Sequence, residues 1–295
     1  MPYLSWQIYQ NNLQAEFKSD LFHINLEGFM VGNGATNWTY DVEPSFPATA
    51  ANFNVIPYHL YETFEKNECH FYFMDVRPAS HSPICVSTWA RIQEVTTHLN
   101  WYDLYRPVDN GGNVVQNKWD RFGQTVIDGK VEFYKRGMTQ SEYTPWANHI
   151  VDNGTVYGDF LTDYMNRPDV RKAFHVPDTV GVWEMCSSKL DYHVQNEASY
   201  WIYGVLRNQV KMMFYSGDTD GAVPTWGSKQ WIHSLNWPVT DVWRPWETHS
   251  QVSGFVQKYD GLEFWTVKGV GHMAPQWARE PTTDMITAFV HDEPL

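Results

Sequence analysis

Two short apolar runs constrain this chain more than any other feature. Val210-Lys211-Met212-Met213-Phe214-Tyr215 and Leu262-Glu263-Phe264-Trp265-Thr266-Val267 both have the length and content of buried strands. The first runs into Ser216-Gly217-Asp218-Thr219-Asp220-Gly221 and the second into Gly269-Val270-Gly271-His272-Met273, so each ends in a glycine-bordered loop. Helical patterns follow both, one carrying Trp226, Trp231, Ile232 and Leu235, the other running from Pro281 to Val290. Strand, loop and helix in succession predict a mostly parallel sheet flanked by helices, because parallel neighbours need a crossover connection. The start of the chain repeats the theme. Pro2 to Phe17 reads as a buried helix with Pro in its first turn, and Ile24 to Val31 as a strand stopped by Gly32-Asn33-Gly34. The fold class is α/β, and with nothing ahead of that first helix the chain is expected to open in the middle of a fold.

Between Trp38 and Arg167 the pattern changes. Aromatics are dense, Pro and Gly-Gly punctuate, and strand-like runs such as Lys130 to Tyr134 sit between helical pieces, as in an inserted, mostly helical subdomain. Pro168 to Phe174 then reads as a short helix with Pro first and an acid beside it, where the helix dipole favours both. The expected organisation is a core over 1–37, a cap over 38–167 and a second core portion over 168–295.

Charge narrows the function classes. The 34 acidic and 21 basic residues among 295 leave a net charge of −13 without a basic cluster, which argues against nucleic acid and anionic membrane as partners. No run approaches the roughly 18 apolar residues of a membrane-spanning helix. Residues 1–12 hold no Lys or Arg, and Gln7, Gln10, Asn11 and Asn12 break up their apolar content, so no secretory leader is expected there. Three cysteines give an odd count: Cys69 and Cys85 enclose a Pro-bearing loop and are disulfide candidates, while three reduced buried thiols are the alternative. Sequons at Asn37 and Asn153 are compatible with secretion and occur at about the frequency chance gives.

The chemistry-bearing residues are Asp220 and His272, 52 positions apart at the ends of the two predicted strands. In open α/β sheets functional groups gather at the carboxyl ends of strands, and acid before histidine is the order of an α/β-hydrolase. There the acid fixes one imidazole tautomer while the other ring nitrogen takes a proton from a nucleophile. Taken alone, Gly-Asp-Thr-Asp-Gly is good turn chemistry and His272 an ordinary structural histidine; together and in order they carry more. A calcium loop from Asp218 fails, since Lys229 would occupy the bidentate carboxylate position. No other metal or cofactor site is suggested. The nucleophile is absent: no Gly-x-Ser-x-Gly elbow occurs, Ser5 falls inside the first helix, Ser216 precedes the acid loop, and Ser187-Ser188 has no elbow glycine.

Four segments in order resemble the serine carboxypeptidases, peptidase family S10: Leu26 to Gly34, Arg167 to Phe174, Ser216 to Gly221 and Gly269 to Pro275. The resemblance implies an α/β-hydrolase fold with an inserted helical cap, whose N-terminal strands lie outside this chain. It assigns the triad acid to Asp220, the triad base to His272 and a leaving-group pocket position to Met273, which on its own reads equally well as core filler. It also implies that Cys186 pairs with a cysteine of the N-terminal half, which accounts for the odd count. The family's Gly-Glu-Ser-Tyr-Ala-Gly nucleophile motif, its Asn-Gly-Gly-Pro-Gly-type oxyanion loop and its carboxylate-gripping residues have no counterpart here. The implied activity is release of C-terminal residues from peptides through an acyl-enzyme, with this chain inactive alone and completed by an N-terminal segment or second chain. The implied setting is lysosome-like, vacuolar or secreted. Two other readings share the scaffold, a non-catalytic relative that binds a partner and an acyltransferase.

Overall fold

The computed structural model describes residues 1–18, 21–70, 82–106, 122–127, 130–135, 162–184, 195 and 197–295. In chain order its elements are α1 (Pro2–Ala15), β1 (Gly28–Gly32), α2 (Phe46–Asn52), α3 (Tyr58–Lys66), α4 (Pro83–Thr96), β2 (Phe122–Ile127), β3 (Lys130–Lys135), α5 (Pro168–Ala173), α6 (Tyr200–Leu206), β4 (Lys211–Gly217), α7 (Thr225–Ser234), β5 (Val239–Thr248), β6 (Gln251–Tyr259), β7 (Leu262–Val267), α8 (Ala274–Trp277) and α9 (Arg279–His291). They fall into two compact units, one comprising 1–97, 102–104 and 194–295, the other 98–101 and 105–193. Residues 38–97, which the sequence reading places in the cap, belong to the same unit as the sheet.

The first unit is built on a five-stranded sheet of order β1-β4-β7-β6-β5. β1 pairs with β4 and β4 with β7 in parallel, while β6 is antiparallel to both β7 and β5. The fold is α/β as expected, with a mixed rather than mostly parallel sheet. The meander β5-β6-β7, two of whose strands the sequence reading leaves out, is the difference. Its first turn, His249-Ser250, has both residues at positive φ, and its second is Asp260-Gly261.

Strand periodicity divides the core. Met212 and Phe214 point to one face of β4, where they meet Tyr203 and Leu206 of α6 and Trp231 and Ile232 of α7. Met213 and Tyr215 point to the other and pack with Trp246, Trp265, Val267 and, from α9, Met285 and Phe289. Both faces of β4 are therefore buried, which is why its sequence runs apolar without alternation. α1 starts where expected but is covered on one face only: Trp6 meets Trp201 edge-on at 5.2 Å, while Leu4 and Leu13 face outward. Cys69 and Cys85 are disulfide-bonded, which resolves the alternatives left open for that pair. Within these residues no helix is long and apolar enough to cross a membrane.

The second unit contains the antiparallel β2–β3 hairpin and α5. Arg171 on α5 donates to the carbonyls of Val180 and Gly181, and Asn166 exchanges hydrogen bonds with the backbone of Trp183. Cys186, Asn153, Ser187 and Ser188 lie outside the described residues.

Candidate active site

β4 and β7 are parallel neighbours, so the loops that leave their carboxyl ends emerge side by side. Their approach is close enough that a Cβ on Gly217 would run into the carbonyls of Val270 and Gly271. The juxtaposition places the His272 Nδ1 2.8 Å from the Asp220 Oδ2. With the carboxylate as acceptor, Nδ1–H is the donor and Nε2 the basic nitrogen of the neutral ring. Asp220 is fully buried and the His272 side chain about 29 % exposed.

Asp220 is held at both oxygens. Oδ1 accepts the backbone N–H groups of Ala222 (2.8 Å) and Val223 (3.0 Å), in the turn that leads into α7. Oδ2 accepts the Asn33 side-chain amide (2.8 Å) as well as the imidazole. Asn33 is the residue between the two glycines that end β1; it stands at φ 45°, a conformation asparagine tolerates. It also accepts the Gly217 N–H at 3.2 Å, tying β1 to the acid loop. A buried carboxylate thereby receives the donors it needs to stay oriented.

The other acid of the loop does separate work. Asp218 Oδ1 accepts the Gly269 N–H at 2.7 Å and so fixes the start of the histidine loop. Its carboxyl is pushed up to about 6, chiefly by burial and further by the charge of Asp103, against the lowering effect of the Gly269 bond.

A three-residue strap, Tyr102 to Leu104, spans both loops. The Tyr102 carbonyl accepts the His272 N–H at 2.6 Å, and the Leu104 N–H donates to the Thr219 carbonyl at 2.9 Å. Asp103 accepts from the Thr219 hydroxyl (2.8 Å) through one oxygen and from the Gly271 N–H (3.2 Å) through the other. The Tyr102 ring lies edge-on to the imidazole, with centroids 5.3 Å apart. Gly271 is required here, because a Cβ would collide with the Tyr102 carbonyl.

Of the residues singled out in the sequence, Asp220 and His272 are thus brought together. Met273 follows directly, half-buried, and its carbonyl accepts the N–H groups of Gln276 and Trp277 in α8. Asn37 is buried and its Oδ1 accepts the Thr39 N–H in a turn. Ser216 is fully buried, with its hydroxyl 2.7 Å from that of Thr225, and Ser5 is buried in α1. Among the described residues no cluster of His, Cys, Asp and Glu is placed to hold a metal ion. Sequence reasoning missed Asn33, Asp103 and Tyr102. A polar residue between two glycines at a strand end is a usable signal for the first; the other two carry none.

The chain is similar to several known proteins. The chain is 28% identical to the putative serine carboxypeptidase-like 30 of Arabidopsis thaliana, across 100% of its own length and 58% of the relative's. It is 26% identical to serine carboxypeptidase 1 of Hordeum vulgare, covering 86% of this chain and 54% of that one. It superposes on the crystal structure of Kex1Δp, a prohormone-processing carboxypeptidase of Saccharomyces cerevisiae, with a TM-score of 0.61 at 16% identity, over 99% of this chain and 59% of the other. The chain therefore spans less than three-fifths of the length of these relatives. The serine carboxypeptidase family model matches residues 1–292, and the chain belongs to that family.

Proposed function

We propose that Asp220 and His272 are the acid and base of a serine-type acyl-transfer centre, and that the complete protein releases single residues from peptide C-termini. The observation that carries this reading is the buried Asp220 carboxylate, aligned by Asn33 and two backbone N–H groups, at 2.8 Å from His272 Nδ1. Nε2 takes the proton of the serine hydroxyl as its oxygen attacks the scissile carbonyl, and Asp220 stabilises the imidazolium that results. The proton then passes to the departing amine, leaving an acyl-enzyme; water repeats the sequence and frees both the shortened peptide and the serine. Met273, beside the base, lines the leaving-group side.

The nucleophile and oxyanion donors come from polypeptide outside these 295 residues, as an N-terminal segment or second chain of the same enzyme. Without them this chain is catalytically silent, since oxyanion donors alone supply about 100- to 1,000-fold in rate. Cys186 joins the two parts. The Cys69–Cys85 disulfide supports a lysosome-like, vacuolar or secreted setting.

Intact mass of the natural protein, unreduced and reduced, followed by a fluorophosphonate probe tests the reading. A larger species whose added polypeptide carries a labelled serine is expected. A mass equal to Met1–Leu295 with no labelled serine sinks it, and leaves Asp220 and His272 as remnants in a binding relative.

A further inference from the structure

Beyond Tyr102, the Asp220–His272 centre leaves the abundance of aromatics unexplained: 15 Trp, 17 Tyr and 16 Phe. Many fill the two cores, but Trp226 and Trp243 do not. Beside α7, against the face of β5, β6 and β7, lies an open cleft of about 670 Å³, within the size range of small-molecule sites. Trp226 and Lys229 of α7 form one wall, Trp243 of β5 and Phe264 of β7 the other, and Gln230 and His233 stand at the helix side. The cleft shares no residue with the acid–base pair.

Three properties define what it would hold. Among the described residues no Asp or Glu lines it, in a chain with 34 acids against 21 bases. Its cation, Lys229, has Nζ 4.5 Å from the centre of the Trp243 ring and no ion-paired carboxylate among the described residues. Burial lowers the Lys229 pKa, with the more distant charge of Asp218 opposing, so the ammonium is partly stripped of water. Finally, Trp243 is held flat by stacking on Phe255, at 5.5 Å and 7° between planes, yet remains 37 % exposed, and Trp226 is 45 % exposed. Aromatic surface open to solvent beside an ammonium that has a ring face but no ion-paired carboxylate among the described residues is a recognition feature.

We propose that this cleft is a second ligand site, taking a small aromatic carboxylate with its ring against Trp226 and Trp243 and its carboxylate on Lys229. A neutral sugar would use the rings and leave the ammonium uncompensated; an inorganic anion would use the ammonium and leave the rings wet. An aryl carboxylate answers both, by stacking and by a charge-assisted hydrogen bond.

The test is isothermal titration of the natural protein with 2-naphthoate, with 2-naphthylmethanol as its uncharged counterpart and N-acetylglucosamine as a sugar probe. One equivalent of 2-naphthoate is expected to bind at least tenfold more tightly than the alcohol. Lys229→Met should remove that advantage and Lys229→Arg retain it; Trp226→Ala, at a position 45 % exposed, should weaken both aryl ligands at least threefold. Equal affinity for acid and alcohol overturns the proposal, as does sugar binding in place of naphthoate. So does loss of naphthoate binding in His272→Ala, which would put the ligand in the other site.

Discussion

Asp41 is wholly buried below the loop that follows Asn33. Its Oδ2 accepts the backbone N–H groups of Thr36 (2.7 Å) and Asn37 (2.9 Å), whereas its Oδ1 has no partner among the described residues. α7 closes the space: a Cβ on Gly227 would stand 2.9 Å from that oxygen and 2.9 Å from Ser45 Oγ. Burial outweighs the two N–H bonds, and the carboxyl is pushed from its ordinary 3.8 up to about 7. Between those two values the folded chain keeps a proton that the unfolded chain has released. Stability therefore falls as pH rises through this window, with the contribution complete below about 3.8 and gone above about 7. At about 1.4 kcal/mol per tenfold change in proton concentration, the full span amounts to about 4 kcal/mol as an upper figure.

Asp41→Asn isolates this contribution. The amide is neutral at every pH, still accepts from Thr36 and Asn37, and directs an N–H group to where the orphan oxygen stood. Guanidinium unfolding of both proteins, followed by tryptophan fluorescence from pH 4 to 8, should show the variant gaining about 2–4 kcal/mol on the parent over that range. Other titrating groups, such as Asp218, occur in both proteins and cancel in the difference. Curves that stay parallel to within about 0.5 kcal/mol would refute the assignment, because a buried, half-satisfied carboxylate cannot be pH-silent.

Asn33→Ala removes the donor to Asp220 Oδ2 and the acceptor of the Gly217 N–H, so kcat of the complete enzyme should fall about 10- to 100-fold with KM little changed, measured on a blocked dipeptide. Gly271→Ala forces the strap away from the histidine loop; a far-ultraviolet spectrum close to the parent's with activity lost is expected, and retained activity would show that the Tyr102 contact is dispensable. Trp231→Ala empties a fully buried site among Tyr203, Phe214 and Tyr200 and should cost about 3–5 kcal/mol in denaturant unfolding. Opening the Cys69–Cys85 bond with Cys85→Ser frees a segment of 16 residues and should cost about 3 kcal/mol on the same assay.

Burial on both faces is what made the core strands readable. β4 and β7 lie between two packed layers, so their sequences are continuously apolar and stand out against any neighbour. β5 and β6 do not. β5 is an edge strand that is largely exposed, bears Pro245 and departs from regular register twice before Trp246, so neither alternation nor an apolar run marks it. The turn after it uses His249-Ser250 at two positive-φ positions where Asn-Gly is the usual signal, which hides the hairpin. Asp260-Gly261, at the other turn, is the usual signal, and from it the antiparallel β6–β7 pairing was legible.

The same asymmetry governs the site. Asp220 and His272 could be paired from sequence because each ends a recognisable strand and parallel neighbours bring their loops together. Nothing local marks Asp103, which reaches 116 residues along the chain to Thr219 and 168 to Gly271. Those contacts exist only once the sheet has set both loops at one edge, and only because Gly271 leaves room for the Tyr102 carbonyl. Sequence periodicity reports which face of an element is buried, whereas the strap is a property of the space between two loop ends. Hence the acid–histidine pair is written into the strands, while the residues that keep it in register come from a distant segment that folding alone brings to them.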